Sequence, residues 1–259
     1  MISKLYSPFP QVPAYRLNAM PNVLILRAPG TNSDAETAFA FEQAGAKSVT
    51  VLHLNRMLES PKPLESAQIL CIPGGFSFGD DIAAGQIFAM KICTHLADAF
   101  RAFTDAGKLI LGIGNGFQVL LKSGFLLGND ATLTWNTSGT FTDRWVNLKV
   151  VGEKCVFLHD IESMELPIAH GEGRFVARND AVLQSLDAAG QIVLRYADGN
   201  VAGVCDPTGR VFGLMPHPER YLNAVQHPRW TRRDPRSPVP VGDGLAIFHN
   251  AVTYCEERL

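Results

Sequence analysis

The sequence predicts an α/β fold: a mostly parallel sheet with helices on both faces and an added antiparallel part. Three observations carry this. From Asn22 to about residue 123, short and nearly continuous apolar runs alternate with helical patterns, as strands covered on both faces require. Two of those runs end in glycine-rich turns, Pro73-Gly74-Gly75 and Gly112-Ile113-Gly114-Asn115-Gly116. From residue 132 onward the chain reads instead as antiparallel strands separated by turns.

The elements follow in order. Residues 1–19 hold three prolines and no clear period, so a flexible N-terminal extension is expected. Val23 to Leu26 is an apolar run bounded by Pro29-Gly30. Residues 33–44 read as a helix with Ala35, Ala38, Phe39 and Phe41 on its apolar side and Gly45 as its stop. Ser48 to Leu54 and Gln68 to Ile72 are further strands. Residues 82–105 read as one long helix, with a helix N-cap as the role of Asp80-Asp81. Lys108 to Ile113 is a fourth strand, and residues 117–123 look helical. Thr132 to Val150 and Lys154 to Leu158 read as antiparallel strands. Residues 191–215 hold two or three more, with turns at Asp198-Gly199 and Pro207-Thr208-Gly209. The Pro- and Arg-rich segment 226–240 is expected to be a solvated surface loop, and Ala246 to Glu257 a closing helix. No linker or repeat interrupts this, so residues 20–259 are expected to form one domain.

Composition limits the function. The 259 residues carry 23 Lys+Arg against 25 Asp+Glu, a net charge of −2, and 46% are apolar. That is enough apolar surface for a packed core and argues against a disordered chain. It also argues against nucleic acid as the partner, because there is no excess positive charge to release counterions. No apolar run reaches the roughly 18 residues of a membrane span. Cys71, Cys93, Cys155, Cys205 and Cys255 form no C-x-x-C pair, and no secretory signal opens the chain. A reducing, cytoplasmic compartment is expected. The dispersed histidines predict no structural metal.

Ligands in open α/β sheets bind beyond the carboxyl ends of the strands, so the two glycine-rich strand ends mark the candidate site. Gly112-Ile113-Gly114-Asn115-Gly116 has the form of a nucleophile elbow, a sharp strand-to-helix turn with small residues on either side of its centre. The central side chain of such a turn stands above the sheet near a helix N-terminus, where a thiol pKa falls and backbone N–H groups can hold an oxyanion. Here the centre is Gly114, which has no side chain to attack with. A dinucleotide loop is a poor fit, because Phe117 stands where its third glycine belongs. A plain tight turn is the bland alternative, and the far end of the chain argues against it. There Met215-Pro216-His217-Pro218-Glu219 follows an apolar strand, and His217 with Glu219 could form a base and its orienting carboxylate.

Taken with RAPGTNSDAET (27–37), IPGGFSFGDDIAAG (72–85), LGIGNGFQVL (111–120), LTWNTSGTFTDRWV (133–146), LPIAHGEGRF (166–175) and VAGVCDPTGRVFGLMPHPER (201–220), these motifs resemble the class I, triad-type glutamine amidotransferases. More narrowly, they resemble the glutaminase subunits of phosphoribosylformylglycinamidine synthases, and the resemblance runs from Asn22 to Leu259. It implies a flavodoxin-like sheet with an antiparallel addition. It implies that Gly114 occupies the position of the nucleophilic Cys, with His217 as general base and Glu219 as its partner. The turn at Gly75 and Phe76 would supply one oxyanion N–H and Asn115 the other. Gln118 would contact glutamine, and the stretch containing Asn136, Ser138 and Phe141 would hold its amino-acid end.

The partners implied are glutamine, a synthetase subunit and a small bridging subunit. No cofactor is implied in this chain, with ATP and Mg expected in the synthetase. With Gly114 in place of the thiol, the covalent route is closed and the chain is expected to be inactive or severely impaired. Either the thiol was lost by a single change in a glutaminase, or the chain is a non-catalytic glutamine-binding or scaffold subunit. A lyase or chaperone-like member of the wider elbow proteins is a third reading, and His217-Pro218-Glu219 speaks against it.

Overall fold

Strand β1 (Asn22–Arg27) leads into helix α1 (Asp34–Gln43), strand β2 (Ser48–His53) and the short helices α2 (Leu54–Glu59) and α3 (Pro63–Ser66). Strand β3 (Ile69–Ile72) precedes α4 (Gln86–His95) and α5 (Ala97–Asp105). Strand β4 (Leu109–Ile113) turns directly into α6 (Asn115–Lys122). Then follow β5 (Ala131–Thr134), β6 (Thr142–Val150), β7 (Ser163–His170), β8 (Arg174–Ala177), α7 (Asp180–Ala188), β9 (Ile192–Tyr196), β10 (Val201–Cys205), β11 (Val211–Leu214) and α8 (Leu245–Arg258). This computed structural model describes residues 20–232 and 241–259. The extension expected over residues 1–19 lies outside the described residues, as do residues 233–240 of the Pro- and Arg-rich segment.

One sheet of nine strands runs in the order β2-β1-β3-β4-β11-β10-β9-β6-β7. From β2 to β11 neighbouring strands are parallel. From β11 to β7 they are antiparallel. The predicted parallel sheet with an antiparallel addition is therefore one continuous surface, with β5 and β8 as a separate antiparallel pair. Period-2 alternation divides each central strand between two cores. Leu24 and Leu26 of β1 pack with Phe88, Phe100 and Phe117 on one face. Val23 and Ile25 pack with Phe41 and Phe248 on the other, where those two rings meet edge to face at 4.9 Å. Helices thus cover both faces, as parallel strands require.

The structure departs from the sequence reading at three elements. On α1 the buried stripe is Thr37, Ala40 and Phe41, continued by Ala44, while Ala35 and Phe39 are exposed. Those buried residues recur at i, i+3, i+4 and i+7, which selects one helix face. The long helix expected over 82–105 is two helices. It starts only at Gln86, because Phe78, Gly79, Asp80 and Gly85 all hold positive φ, and it breaks at Leu96 (φ −123°). Neither Gly nor Pro marks that break. It brings Phe88 and Ile92 before it, and Phe100 and Phe103 after it, into one core. Asp80-Asp81 therefore caps no helix. Lys154 to Leu158 is not a strand but a turn with a short 3-10 segment, its Phe157 and Leu158 buried. Asn250 of α8 donates to the carbonyls of Phe157 (3.1 Å) and His159 (2.8 Å), in place of a strand neighbour.

Among the described residues no helix is long and apolar enough to cross a membrane.

Candidate functional site

The site forms where β3, β4 and β11 end side by side. β4 is buried along its whole length and turns at Gly114, whose φ of +52° and ψ of −109° are open to glycine and strained for other residues. The two flanking glycines are required by packing. A Cβ on Gly116 would lie 1.8 Å from the Ile72 carbonyl oxygen, and one on Gly112 would lie 2.7 Å from the Gly116 oxygen. Without side chains at these positions, the N-terminus of α6 settles directly onto the strand ends.

His217 stands across from Gly114. The parallel pairing of Ile113 with Leu214 brings the two strand ends together, and the His217 N–H donates to the Pro167 carbonyl at 2.8 Å. The ring is buried, with Nδ1 2.6 Å from Oε1 of buried Glu219. The carboxylate oxygen accepts, so Nδ1 carries the proton and Nε2 is left as the basic atom. A Cβ built on Gly114 would lie 3.0 Å from Cε1 and 3.1 Å from Nε2 of this ring, so a side chain at that position would meet the Nε2 edge of the ring. Gly74 forms the other wall, where a Cβ would meet Cε1 at 2.6 Å.

The Gly74-Gly75-Phe76 turn is held against the Pro29-Gly30-Thr31 turn. The Phe76 N–H donates to the Gly30 carbonyl at 2.9 Å, and the Asn32 and Ser33 N–H groups converge on the Gly74 carbonyl. Phe76 N–H is therefore committed. Gly75 N–H and Asn115 N–H donate to no other described residue, and both residues line the cavity beside Gly114.

That cavity measures about 490 Å³ and is also lined by Gln118, Phe141 and His217. Gln118 donates from Nε2 to the Glu172 carbonyl (2.7 Å) and accepts from Asn115 Nδ2 (2.9 Å). Phe141 is exposed at the rim, its ring centroid 6.3 Å from that of Phe76. Asn136 and Ser138 are not brought to this cavity. They line a neighbouring one, and His170 is shared between the two. Asn136 instead organises its own loop, donating to the carbonyls of Thr140 and His170 and accepting from Gly173 N–H.

Four residues around the cavity were missed or misread. Asp80, expected as a cap, accepts from Asn115 Nδ2 at 3.2 Å. Burial pushes its carboxyl above the usual range, and the charge of Glu172 adds to that. Glu172 is 3.7 Å from Lys122, whose Nζ also donates to the Ala84 carbonyl at 2.5 Å. Burial lowers the Lys122 pKa, and the carboxylates of Glu172 and Asp80 oppose that. Together these groups tie the 77–85 loop to α6 and to the Gly171-Glu172-Gly173 turn. His170 is the fourth. Burial, then the charges of His217 and Arg144, lower its pKa to about 4. His170 was legible in principle, since it ends a strand before a glycine-rich turn as the elbow does. The partners of Lys122 lie far off in sequence and leave no local signal.

Cys71 lies buried in β3, where burial raises its thiol pKa well above the ordinary value. The Cys93 thiol bonds to the Ser123 carbonyl at 3.2 Å. Neither lines the elbow cavity.

Residues 20–201 and 197–255 match the family model of the CobB/CobQ-like glutamine amidotransferase domain. The chain is 41% identical over 252 residues to the phosphoribosylformylglycinamidine synthase subunit PurQ of Dehalococcoides mccartyi, covering 90% of this chain and 97% of that one. It is 38% identical over 270 residues to the subunit of the same name from Methanococcus maripaludis, with 92% and 98% covered. The structure of PurLQS from Thermotoga maritima aligns with a TM-score of 0.72 at 32% identity, covering 91% of this chain and 99% of that chain.

Proposed function

The chain belongs to the CobB/CobQ-like glutamine amidotransferase family, and from that membership we propose that it is the glutaminase subunit of a phosphoribosylformylglycinamidine synthase. The observation that carries the reading at the site is the aim of residue 114 at the Nε2 side of a buried His217–Glu219 pair. A thiol there would lose its proton to Nε2 and attack the carboxamide carbon of glutamine. The Gly75 and Asn115 N–H groups would hold the resulting oxyanion, each such donor contributing about 3 kcal/mol to the transition state. Ammonia would leave, and water would cleave the glutamyl thioester.

In the chain as it stands Gly114 supplies no thiol, so this covalent route is closed and the subunit is inactive or severely impaired. The partner is a synthetase that uses ATP and Mg to place the ammonia, joined by a small bridging subunit. Relatives named as PurQ subunits and the PurLQS assembly support that arrangement. We read residues 20–259 as one amidotransferase domain, on the single nine-stranded sheet, and assign it to the cytoplasm, in keeping with its free thiols.

The test is ammonia release from glutamine by this chain and by Gly114→Cys, each with the synthetase present. Release by the Cys variant alone supports the reading. Release by neither favours a second reading, a glutamine-binding or scaffold subunit, which the absent thiol in an otherwise complete site also fits. Activity in the Gly114 chain itself would refute the mechanism.

A further inference from the structure

On the glutaminase reading, the elbow cavity lacks one part, the nucleophile, and keeps the groups that would serve it. His217 Nε2 makes no hydrogen bond among the described residues and is not one of the buried atoms left without a partner, so it opens onto the cavity that His217 lines. Glu219 holds the proton on Nδ1 at 2.6 Å, which keeps Nε2 free to accept another. The Gly75 and Asn115 N–H groups are uncommitted, and both residues line the same cavity. None of the five cysteines lines it, so the chain has no thiol of its own to bring to Nε2.

The space beside Gly114 is narrow. From the point where a Cβ would stand, the edge of the His217 ring is 3.0–3.1 Å away and the next nearest atom, Gly74 Cα, is 3.8 Å away. An atom tied to the Gly114 backbone therefore crowds the ring. A free molecule is not tied, and by settling a few tenths of an ångström further out it reaches ordinary contact distance. Gly74 sets the other wall without a side chain, since a Cβ there would meet Cε1 at 2.6 Å. A nucleophile that fits between these walls is about the size of the side chain that glycine lacks.

We propose that this chain can take a small thiol from solution as its nucleophile, and with it works as a thiol-dependent glutaminase. The proposal rests on the glutaminase reading of the same site. Methanethiol has the heavy atoms of a cysteine side chain and represents the class. Its proton passes to Nε2, and its sulfur bonds to the carboxamide carbon of glutamine, because the thiolate is the attacking form. The oxyanion is held by the Gly75 and Asn115 N–H groups. The C–N bond then breaks, and ammonia leaves with the proton from Nε2. This yields the γ-glutamyl methyl thioester. Water, giving a proton to the same Nε2, cleaves that ester to glutamate, and methanethiol is returned. A tethered thiol gains an effective molarity on the order of 10⁵ M or more, so the borrowed thiol works far more slowly than Gly114→Cys.

The experiment measures ammonia release from glutamine by the Gly114 chain with the synthetase present. It is run in thiol-free buffer, then with methanethiol or with glutathione. Methanethiol is expected to raise the rate at least about tenfold, since the acid–base pair is in place, and mass spectrometry should detect the methyl thioester. His217→Ala should abolish the gain. Glutathione, too large for the space, should give none. No gain with methanethiol overturns the proposal, as does an equal gain with glutathione or in His217→Ala. Gly114→Cys separates the two readings. If it releases ammonia while methanethiol does nothing for the Gly114 chain, the glutaminase reading stands and this proposal falls. If neither releases ammonia, both fall.

Discussion

A side chain on Gly114 would run into the ring of His217: a Cβ there would stand 3.0 Å from Cε1 and 3.1 Å from Nε2. That spacing is tight enough that the ring must give slightly, and the backbone at Gly114 (φ +52°) is one that side chains rarely adopt. Glycine avoids both strains and places no side chain against that ring.

Gly114→Cys should therefore lower stability while gaining ammonia release. The strained backbone predicts a cost of about 1–3 kcal/mol, or a drop of several degrees in Tm at roughly 2–4 °C per kcal/mol for a domain of this size. Thermal unfolding of the two chains checks it. A variant that melts higher than the parent refutes the strain.

In the proposed mechanism Glu219 acts only through His217, whose Nδ1 lies 2.6 Å from its Oε1. In the Gly114→Cys background, Glu219→Gln should reduce kcat by roughly 10²–10⁴-fold, the usual contribution of a positioned acid–base group. KM should change little. Steady-state kinetics separate the two, and a loss confined to KM would mean that Glu219 shapes binding instead.

His170 makes stability depend on pH. Its pKa falls from 6.5 to about 4 on folding, through burial first and then the charges of His217 and Arg144. Between those values the unfolded chain binds the proton and the folded chain does not. The stabilisation is complete above pH 6.5 and is lost as pH falls toward 4. At 1.36 kcal/mol per unit the loss reaches about 3 kcal/mol. Denaturant titrations across that window should show the slope, and His170→Gln should flatten it.

Lys122 faces the carboxylates of both Asp80 and Glu172, and its side chain is only 10% exposed. Lys122→Met leaves two carboxylates without a cation and should cost about 2–4 kcal/mol, somewhat less than breaking a fully buried pair. Adding Glu172→Gln should recover part of that loss. A double-mutant cycle measures the coupling, and additive effects would mean that Lys122 only fills space.

Where a signal was local, it could be read. The strand ends at Ile72 and Ile113, the glycines beside residue 114, and His217 two residues before Glu219 are all confined to short segments. The phase of α1 was misjudged because Ala35 and Phe39 resemble Ala40 and Phe41 in kind, and only the neighbours of the helix choose between two apolar faces. Lys154 to Leu158 looked like a strand because burial beneath α8 demands the same apolar residues as a sheet does. The break at Leu96 left no trace, since no residue there forbids a helix.

By itself the sequence determined the alternating α/β plan, the sharp turn at Gly114, and the His217-Pro218-Glu219 segment after the last strand. These rest on backbone conformation and on contacts a few residues long, which residue type dictates directly. Tertiary structure alone decided that Gly114 meets His217, because that depends on β4 pairing with β11. It also decided that Asp80, Lys122 and Glu172 form one network, and that His170 stands between two cavities with an unpartnered nitrogen. Each of those is a relation between distant segments, and only packing the sheet and helices together sets such distances.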